Sequence, residues 1–125
     1  MEELKRTLER HAKVRQAWFN PTTPTPHGSG SASVSLKTES LQVDDAMIRT
    51  LAEAHGFTVR RFKGTKAAGL RIVELEHTAP QVHVQISDSH AKGYGDIQIT
   101  DTKDSETLTP AQRQNLQKFV QALLK

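Results

Sequence analysis

Residues 56–71 contain the stretch of the chain whose side chains most directly indicate a binding chemistry. They read GFTVRRFKGTKAAGLR and carry basic residues without any acidic one, namely Arg60, Arg61, Lys63, Lys66 and Arg71. The whole chain has 17 basic and 14 acidic residues, a formal net charge of +3, so the remainder is slightly acidic. Such a local cluster can hold several phosphates, and each neutralised charge adds salt-dependent affinity. The leading hypothesis is a small binding or regulatory protein that contacts nucleic acid through backbone and shape.

The same basic residues also fit a structural role and a different ligand. Charged residues on an edge strand prevent edge-to-edge association of sheets. Only Phe57 and Phe62 lie within the basic stretch as platforms for bases, and single-stranded nucleic acids are usually held by stacking on aromatic rings. An acidic protein surface is a further candidate ligand.

Trp18 and Phe19 form a second candidate site, because two adjacent large aromatic side chains precede a stretch rich in Pro, Thr, Gly and Ser. Side chains of this size are expected to dock on the protein's own sheet or on a partner. A helix carried on a flexible segment also permits exchange between protomers, which would give a homodimer. The alternative hypothesis is therefore a protein-interaction module, an adaptor or inhibitor of phage or plasmid type. It would bind through its first helix with Trp18 and Phe19, or through the acidic residues 96–106.

The histidines are the third group of chemically competent side chains, but their spacing matches no metal or catalytic motif. None of the six occurs as HxH or HxxxH, the close spacing with which one element presents two metal ligands. His77 and His83 would meet across a hairpin at 79–80, which gives a small nuclease-like hydrolase as the third hypothesis. Residues 88–90, DSH, have the types of a catalytic triad, but neighbours on one turn rarely reach each other as nucleophile and base. We expect a non-enzymatic protein without catalytic residues, metal or cofactor.

The first half of the chain divides into a helix, a linker and the start of a domain. Acidic residues near its beginning and basic residues near its end predict a first helix over residues 2–18. Residues 20–31, NPTTPTPHGSGS, favour an extended and then flexible chain. We therefore expect an N-terminal helix at 1–19, a linker at 20–31 and a single α+β domain at 32–125.

Within that domain, alternating apolar residues predict a short strand that begins at Ala32, followed by a helix from about Asp44 to His55. Four more strands are predicted at 57–63, 70–77, 81–87 and 96–100. Strict alternation along 57–63 places Phe62 on the face of Arg60 and opposite to Val59, so neither face is apolar.

The last helix has the clearest beginning, because Thr109-Pro110-Ala111-Gln112 combines an N-cap, a proline at the first position and a capping-box glutamine. The order of elements predicts an α+β fold of two layers. It consists of an antiparallel sheet of four or five strands with helices packed on one face, plus the N-terminal helix on its flexible linker.

Residues 44–77 resemble part of a known fold in their order of elements and in the stretch GFTVRRFKGTK. They are similar to the start of double-stranded RNA-binding folds and of the HicA-type toxins built on them. Those toxins carry a catalytic histidine just after the turn, where this sequence has Lys66. The resemblance therefore implies a related arrangement of helix and strands, without the toxin activity.

Composition limits the cellular compartments in which the protein is expected. The mean hydropathy is −0.57, and no apolar run approaches the 18 residues of a membrane-spanning helix. The first residues contain acidic side chains and no apolar segment of the kind found in secretory signals. The chain has no cysteine, which fits a reducing compartment. We expect a cytoplasmic protein that does not bind membranes.

Overall fold

The computed structural model describes residues 2–21, 24–25, 28–29, 32–78, 81–101 and 108–125. Over these residues the elements follow in the order α1 (Glu2–Leu8), β1 (Val14–Asn20), β2 (Pro24–Thr25), β3 (Gly28–Ser29), β4 (Ser33–Glu39), α2 (Asp45–Ala54), β5 (Thr58–Thr65), β6 (Leu70–Thr78), β7 (Gln81–Ser89), β8 (Tyr94–Asp101) and α3 (Pro110–Leu123).

Six of these strands form one sheet in the order β1-β4-β8-β7-β6-β5, and every neighbouring pair is antiparallel. Strands β5 to β8 form a meander, while β1 and β4 add a second pair beside β8. The two-residue strands β2 and β3 lie between β1 and β4 in the sequence. They pair with each other and form a separate two-stranded sheet. The predicted α+β class is confirmed, with six strands in the main sheet where four or five were expected.

The core lies between one face of this sheet and the three helices. Alternate strand residues such as Val34, Leu36, Val84, Ile86 and Ile97 are buried and point toward the helices. The helices contribute their own buried residues to the same cluster, namely Leu4, Leu8, Ile48, Ala52, Leu116, Phe119, Val120 and Leu123. Burial of an apolar side chain of this size contributes about 1.5–3 kcal/mol, so this layer of contacts fixes which face of each strand is covered.

Local signals set the ends of α2 and α3. The side chain of Asp44 caps α2 by accepting the backbone N–H of Met47, and the positive φ of Gly56 follows the helix. At α3, Thr109 accepts the N–H of Gln112, whose side chain accepts the N–H of Thr109. Both helices begin where their capping residues predicted.

The prediction of one helix over residues 2–18 was wrong, because α1 ends at Leu8 and residues 14–20 form strand β1. The buried side chains of Leu4 and Leu8 anchor α1 in the core. A salt bridge from Glu3 to Arg113 ties α1 to α3. The N-terminal helix therefore docks within its own chain, and β1 extends the sheet beyond β4.

The segment predicted as a linker, residues 20–31, coincides with the connection between β1 and β4. Its described residues include the last residue of β1 and the short β2–β3 pair. Residues 22–23, 26–27 and 30–31 lie outside the described residues. No helix within the described ranges is long and apolar enough to cross a membrane.

Candidate functional site

The sheet face that points away from the helices, here called the open face, is a surface that the described helices leave uncovered. Its residues alternate with the buried core residues along each strand. On the described strands, no hydrophobic side chain of this face belongs to the buried cluster. The core therefore lies on the other side of the sheet.

Strand register aligns one row of side chains across all six strands of the open face. Pairing at each strand boundary places these residues side by side, in the order Trp18, Ser35, Gln98, Gln85, Glu74 and Arg61. The row begins with an aromatic side chain that is 44% exposed and ends with an exposed cation. The uncharged polar side chains of Gln98 and Gln85 occupy its centre.

The centre of the open face is a shallow depression of about 270 Å³. Its lining comes from the three central strands and includes Ser35, Gln85, Ser87, Asp96 and Gln98. Ser35 and Ser87 are the smallest of these side chains. The open face thus has a depression at its centre, which Leu36 and Ile97 line together with the polar residues.

A β-bulge on β5 decides where the basic residues point. The register shifts between Val59 and Arg61, so Arg60 and Arg61 together oppose Glu74. The extra residue places Phe62 on the same side as Val59, and both side chains pack against the core. The prediction that Phe62 shares a face with Arg60 was therefore wrong, because a bulge breaks strict alternation.

The partner strand β6 brings acidic side chains to the basic ones. Arg60 binds Glu76 with an Nε–Oε2 distance of 2.8 Å, and Arg61 lies 3.9 Å from Glu74. These two carboxylates come after the acid-free stretch 56–71 in the sequence, but the β5–β6 pairing places them next to Arg60 and Arg61. Within the described strands the open face carries charges of both signs, namely Glu39, Glu74, Glu76 and Asp96 as acidic side chains and Arg15, Lys37, Arg60, Arg61 and Lys63 as basic ones.

The other predicted basic residues have different surroundings. Lys63 is exposed on β5, whereas Lys66 is partly buried and donates from Nζ to the carbonyl of Gln42 at 2.8 Å. Arg49 of α2 lies over the ring of Phe62, 4.5 Å from its centroid. Sequence reasoning missed Arg49, because only the packing of α2 beside β5 brings it to this edge.

Arg71 does not belong to the exposed basic cluster. Its side chain is completely buried and donates to Asp88 at 3.0 Å and to Asp45 at 2.8 Å. Its Nη2 atom also donates to the carbonyls of Leu41 and Val43. The predicted ligand-binding set therefore loses Arg71, since the Gly64–Arg71 pairing places that side chain on the helix-covered face.

The Arg71 network holds the loop between β4 and α2 against the sheet. Asp88 accepts the N–H of Leu41 at 2.9 Å while it binds Arg71. Burial raises the pKa of Asp45, but hydrogen bonds from Arg71 and the Lys66 N–H, with the charges of Arg71 and Arg49, outweigh it and lower that pKa. The network is a structural clamp within the protein.

The structure separates the two predicted partner-binding aromatics. Trp18 is on the open face, opposite Ser35, whereas Phe19 pairs with Val34 and packs partly buried against the core. Adjacent strand residues point to opposite faces. Only Trp18 is therefore available to a partner, and it lies on a strand where a helix end was expected.

The histidines do not form the group that a hydrolase would need. His77 packs its ring against Phe57 at 5.0 Å on the covered face, while His83 lies on the opposite face beside Glu76. Asp88 is engaged by Arg71, and Ser89 points to the other side of β7 from it. No cluster of three potential metal ligands occurs among the described residues.

The acidic region 96–106 can be followed only in part. Asp96 is exposed on the open face, and Asp101 is buried at the end of β8. Residues 102–107 lie outside the described residues.

The predicted sheet with helices on one face implied an uncovered second face, but the sequence did not identify that face as a candidate site. The alternation of polar residues with Val82, Val84 and Ile86 was the available signal, because a strand with one polar side has one solvated face. Which strands join into one continuous row depends on the β4–β8 pairing, which connects residues far apart in the sequence. Comparisons with known proteins gave no match to a family model, a curated protein or a solved structure.

Proposed function

We propose that this chain is a non-enzymatic protein-interaction module whose open face binds a folded protein partner. The observation that supports this proposal is the exposed Trp18, placed at one end of a charge-balanced row that ends in Arg61. Tryptophan and arginine are the residues most enriched at interface positions that dominate binding energy. The central depression between such groups fits a partner surface with a protruding middle.

The charges of the open face favour a protein over a polyanion as its partner. Arg60 and Arg61 each have a glutamate neighbour on β6, so a phosphate approaching them also meets negative charge. Protein surfaces carry both signs, and complementary pairs across an interface set specificity and association rate. The face of mixed charge thus matches a partner surface that also carries both signs.

Site-specific photo-cross-linking tests this proposal. A benzoylphenylalanine placed at position 98, in the centre of the open face, should form an adduct with the partner when a lysate of the source cells is irradiated. The same group at position 47 is a matched control, because Met47 is 45% exposed but lies on α2 in the helix layer. The partner identified by mass spectrometry is then purified and titrated with the unmodified chain.

Trp18→Ala should weaken that purified complex about fivefold to tenfold, because truncation of an interface tryptophan typically costs more than 1 kcal/mol. Met47→Ala should leave the affinity unchanged. Equal adduct yields from positions 98 and 47 would contradict the proposal. So would an affinity that Trp18→Ala leaves unchanged.

A second candidate function, polyanion binding along the β5–α2 edge, is favoured by one specific observation. Arg49 and Lys63 lie on this edge, and neither makes an ion pair with another described residue. Fluorescence polarisation with a mixed-sequence oligonucleotide across a salt series tests it. Joint replacement of Arg49 and Lys63 by Ala should reduce the salt slope by about 2, one per lost phosphate contact. Replacement of the exposed Lys92 is the control, and an unchanged slope in the double variant excludes this function.

A further inference from the structure

We infer that β1 pairs through its free edge with β1 of a second copy of this chain, in antiparallel register about a two-fold axis at Trp18. This association uses the edge of the sheet, so it is independent of the partner proposed for the open face. Three properties carry it: the edge of β1 is uncharged and regular, its two limits are symmetric about Trp18, and the side chains opposed across the axis match.

The two edge strands of the six-stranded sheet, β1 and β5, present different edges. Residues 16–20, QAWFN, contain no charged side chain and pair with β4 without a register shift. On β5, Arg60, Arg61 and Lys63 are charged, and a bulge interrupts the register. Charged residues and bulges prevent edge pairing, whereas a regular uncharged strand is a template for another strand. The chemistry of the sheet therefore directs a further strand to β1.

The hydrogen bonds between β1 and β4 determine which backbone groups of β1 point to the free edge. In an antiparallel ladder, only alternate residues bond to the partner strand, and the others point their N–H and C=O away from it. The N–H of Glu39 donates to the carbonyl of Lys13 at 3.1 Å. This bond flanks the pair of Val14 and Thr38, which is therefore a non-hydrogen-bonded pair.

Counting on from that pair identifies the outward-pointing residues of the regular segment. At the bulge, Arg15 and Gln16 together take the next hydrogen-bonded position, opposite Lys37. The following positions alternate, so Ala17 and Phe19 point their N–H and C=O groups to the free edge. These two residues supply the backbone donors and acceptors for a second strand.

The regular segment is bounded symmetrically about Trp18. Gln16 follows the bulge, and Asn20 precedes Pro21. Pro21 stands at the next outward position after Phe19 and has no N–H to donate. Because Gln16 and Asn20 each lie two residues from Trp18, a two-fold axis at Trp18 pairs the two segments over their whole length.

The backbone groups of the two copies are complementary in this register. Ala17 lies opposite Phe19 of the partner subunit, and both residues point their N–H and C=O outward. Each such pair exchanges two hydrogen bonds, and the two-fold axis creates the pair twice. Trp18 lies opposite Trp18 of the partner subunit at a non-hydrogen-bonded position, where cross-strand side chains are closest. Aromatic pairs at such positions stabilise antiparallel strands.

On the covered side of β1, the second copy shields apolar side chains that the helices leave partly exposed. Ala17 and Phe19 are only partly buried, whereas their neighbours on β4, Leu36 and Val34, are no more than 1% exposed. Across the axis, the small Ala17 meets the large Phe19 of the partner subunit. Additional apolar area is thus removed from water without opposing two large rings directly.

On the open face, the opposed side chains are also alike. Gln16 faces Asn20 of the partner subunit, and two amides can exchange hydrogen bonds. Trp18, which is 44% exposed in the single chain, contacts Trp18 of the partner subunit. Both tryptophans remain on the open face, so the two open faces join into one surface with the tryptophans at its centre. Pairing therefore leaves Trp18 in the surface that the proposed function uses.

The two-fold arrangement closes on itself. It uses the β1 edge of both copies and leaves only the protected β5 edges at the two ends of a sheet with six strands from each copy. An isologous interface of this kind forms a dimer and no larger assembly. The paired segment, residues 16–20 of each copy, is shorter than the about 20–30 residues a side of a standard interface. We therefore expect a reversible dimer.

Sedimentation equilibrium of the full chain over a concentration series tests the inference. We expect reversible association to twice the monomer mass of 13.9 kDa. The double variant Gln16→Glu/Asn20→Glu should raise the dissociation constant about tenfold or more, because it opposes like charges twice across the axis. Gln16→Glu/Asn20→Lys opposes unlike charges and should keep the constant within about threefold of the wild type. Thermal unfolding followed by circular dichroism verifies that each variant is folded.

Disulfide formation tests the register. The chain contains no cysteine, and positions 16 and 20 of one copy lie about 14 Å apart along the strand, too far for a disulfide. Opposed residues at non-hydrogen-bonded positions have Cα atoms about 4.5 Å apart, which is within disulfide range. Gln16→Cys/Asn20→Cys should therefore form covalent dimers on mild oxidation. The single variant Gln16→Cys and the control Met47→Cys should remain monomers on a non-reducing gel.

The outcomes separate this inference from the proposed function. A chain that stays monomeric at every concentration overturns the inference, even if position 98 forms a photo-adduct with another protein. Dimerisation that resists Gln16→Glu/Asn20→Glu, species larger than a dimer, or a disulfide in Gln16→Cys alone also overturns it. A dimer that follows the charge and disulfide patterns, but gives no adduct from position 98, supports the inference and overturns only the proposed function.

Discussion

Arg71 and Asp88 form a salt bridge in which both side chains are completely buried, with a distance of 3.0 Å between Nε and Oδ2. The two residues pair directly across β6 and β7, so the bridge lies within the sheet on the side that faces the helices. Through the carbonyl and N–H of Leu41, the same two side chains fix the loop that leads into α2. Arg71, which the sequence alone assigned to ligand binding, thus organises contacts in the interior.

Arg71→Met is expected to destabilise the protein by about 3–5 kcal/mol, because it leaves the carboxylate of Asp88 buried without its cation. Denaturant unfolding followed by circular dichroism measures the change. Arg60→Met is the matched control, since it removes an exposed pair with Glu76 and should cost less than about 1 kcal/mol. Similar losses from the two variants would show that the buried network does not stabilise the fold.

Asp45 should make the free energy of unfolding depend on pH in the acid range. Its pKa in the folded protein lies below the ordinary value of 3.8, so the folded state binds a proton less readily than the unfolded state. The stabilisation is therefore complete above 3.8 and disappears as the pH falls through the folded pKa.

Asp45→Asn should remove this part of the pH dependence. The difference in unfolding free energy between the wild type and the variant is measured by denaturation from neutral pH down into the acid range. We expect a constant difference at neutral pH that shrinks below pH 3.8. A difference that stays constant, or grows on acidification, would show that the contacts of Asp45 with Arg71 and the Lys66 N–H do not favour its charged form.

Alanine substitutions at Gly64 and Gly93 form a matched pair that tests the close packing of the β5–β6 hairpin at Gly64. Both have a positive φ, +77° and +75°, which costs a residue with a side chain about 1–2 kcal/mol. A Cβ at Gly64 would collide with the backbone carbonyl oxygen of Leu70, whereas a Cβ at Gly93 would meet no atom within 4 Å. Gly64→Ala should therefore destabilise the protein clearly more than Gly93→Ala in thermal or denaturant unfolding. Equal losses would mean that the close approach of β5 to β6 at Gly64 relaxes without cost.

Local chemistry made much of the fold predictable. The capping residues Asp44 and Thr109 marked the beginnings of α2 and α3, and the alternation in β7 marked its buried face. Residues 14–20 were misassigned because charge patterning favoured continuing α1, while pairing with β4 decides their conformation. Strand pairing of this kind joins residues that local propensity does not connect.

The candidate site was less predictable, because it depends on contacts between distant residues. A count along the sequence found no acid near Arg60 and Arg61, yet the hairpin places Glu76 and Glu74 beside them. Arg71 is as basic as its neighbours in the sequence, but its pairing with Gly64 directs it inward. Register and a single bulge thus determine which charges reach the surface.

Deletion of Arg60 tests the role of the bulge on β5. Without this residue, Val59 and Arg61 would follow each other with regular alternation and keep Phe62 on the core side, so we expect a folded protein with a straightened edge strand. A regular edge strand is a template for pairing with other chains. The deletion should therefore give open-ended aggregates, measured by light scattering, at concentrations where the wild type stays clear. Arg60→Ala keeps the bulge and removes only the charge, so it should stay clear as well; aggregation of Arg60→Ala alone would assign the protection to the charge and not to the bulge.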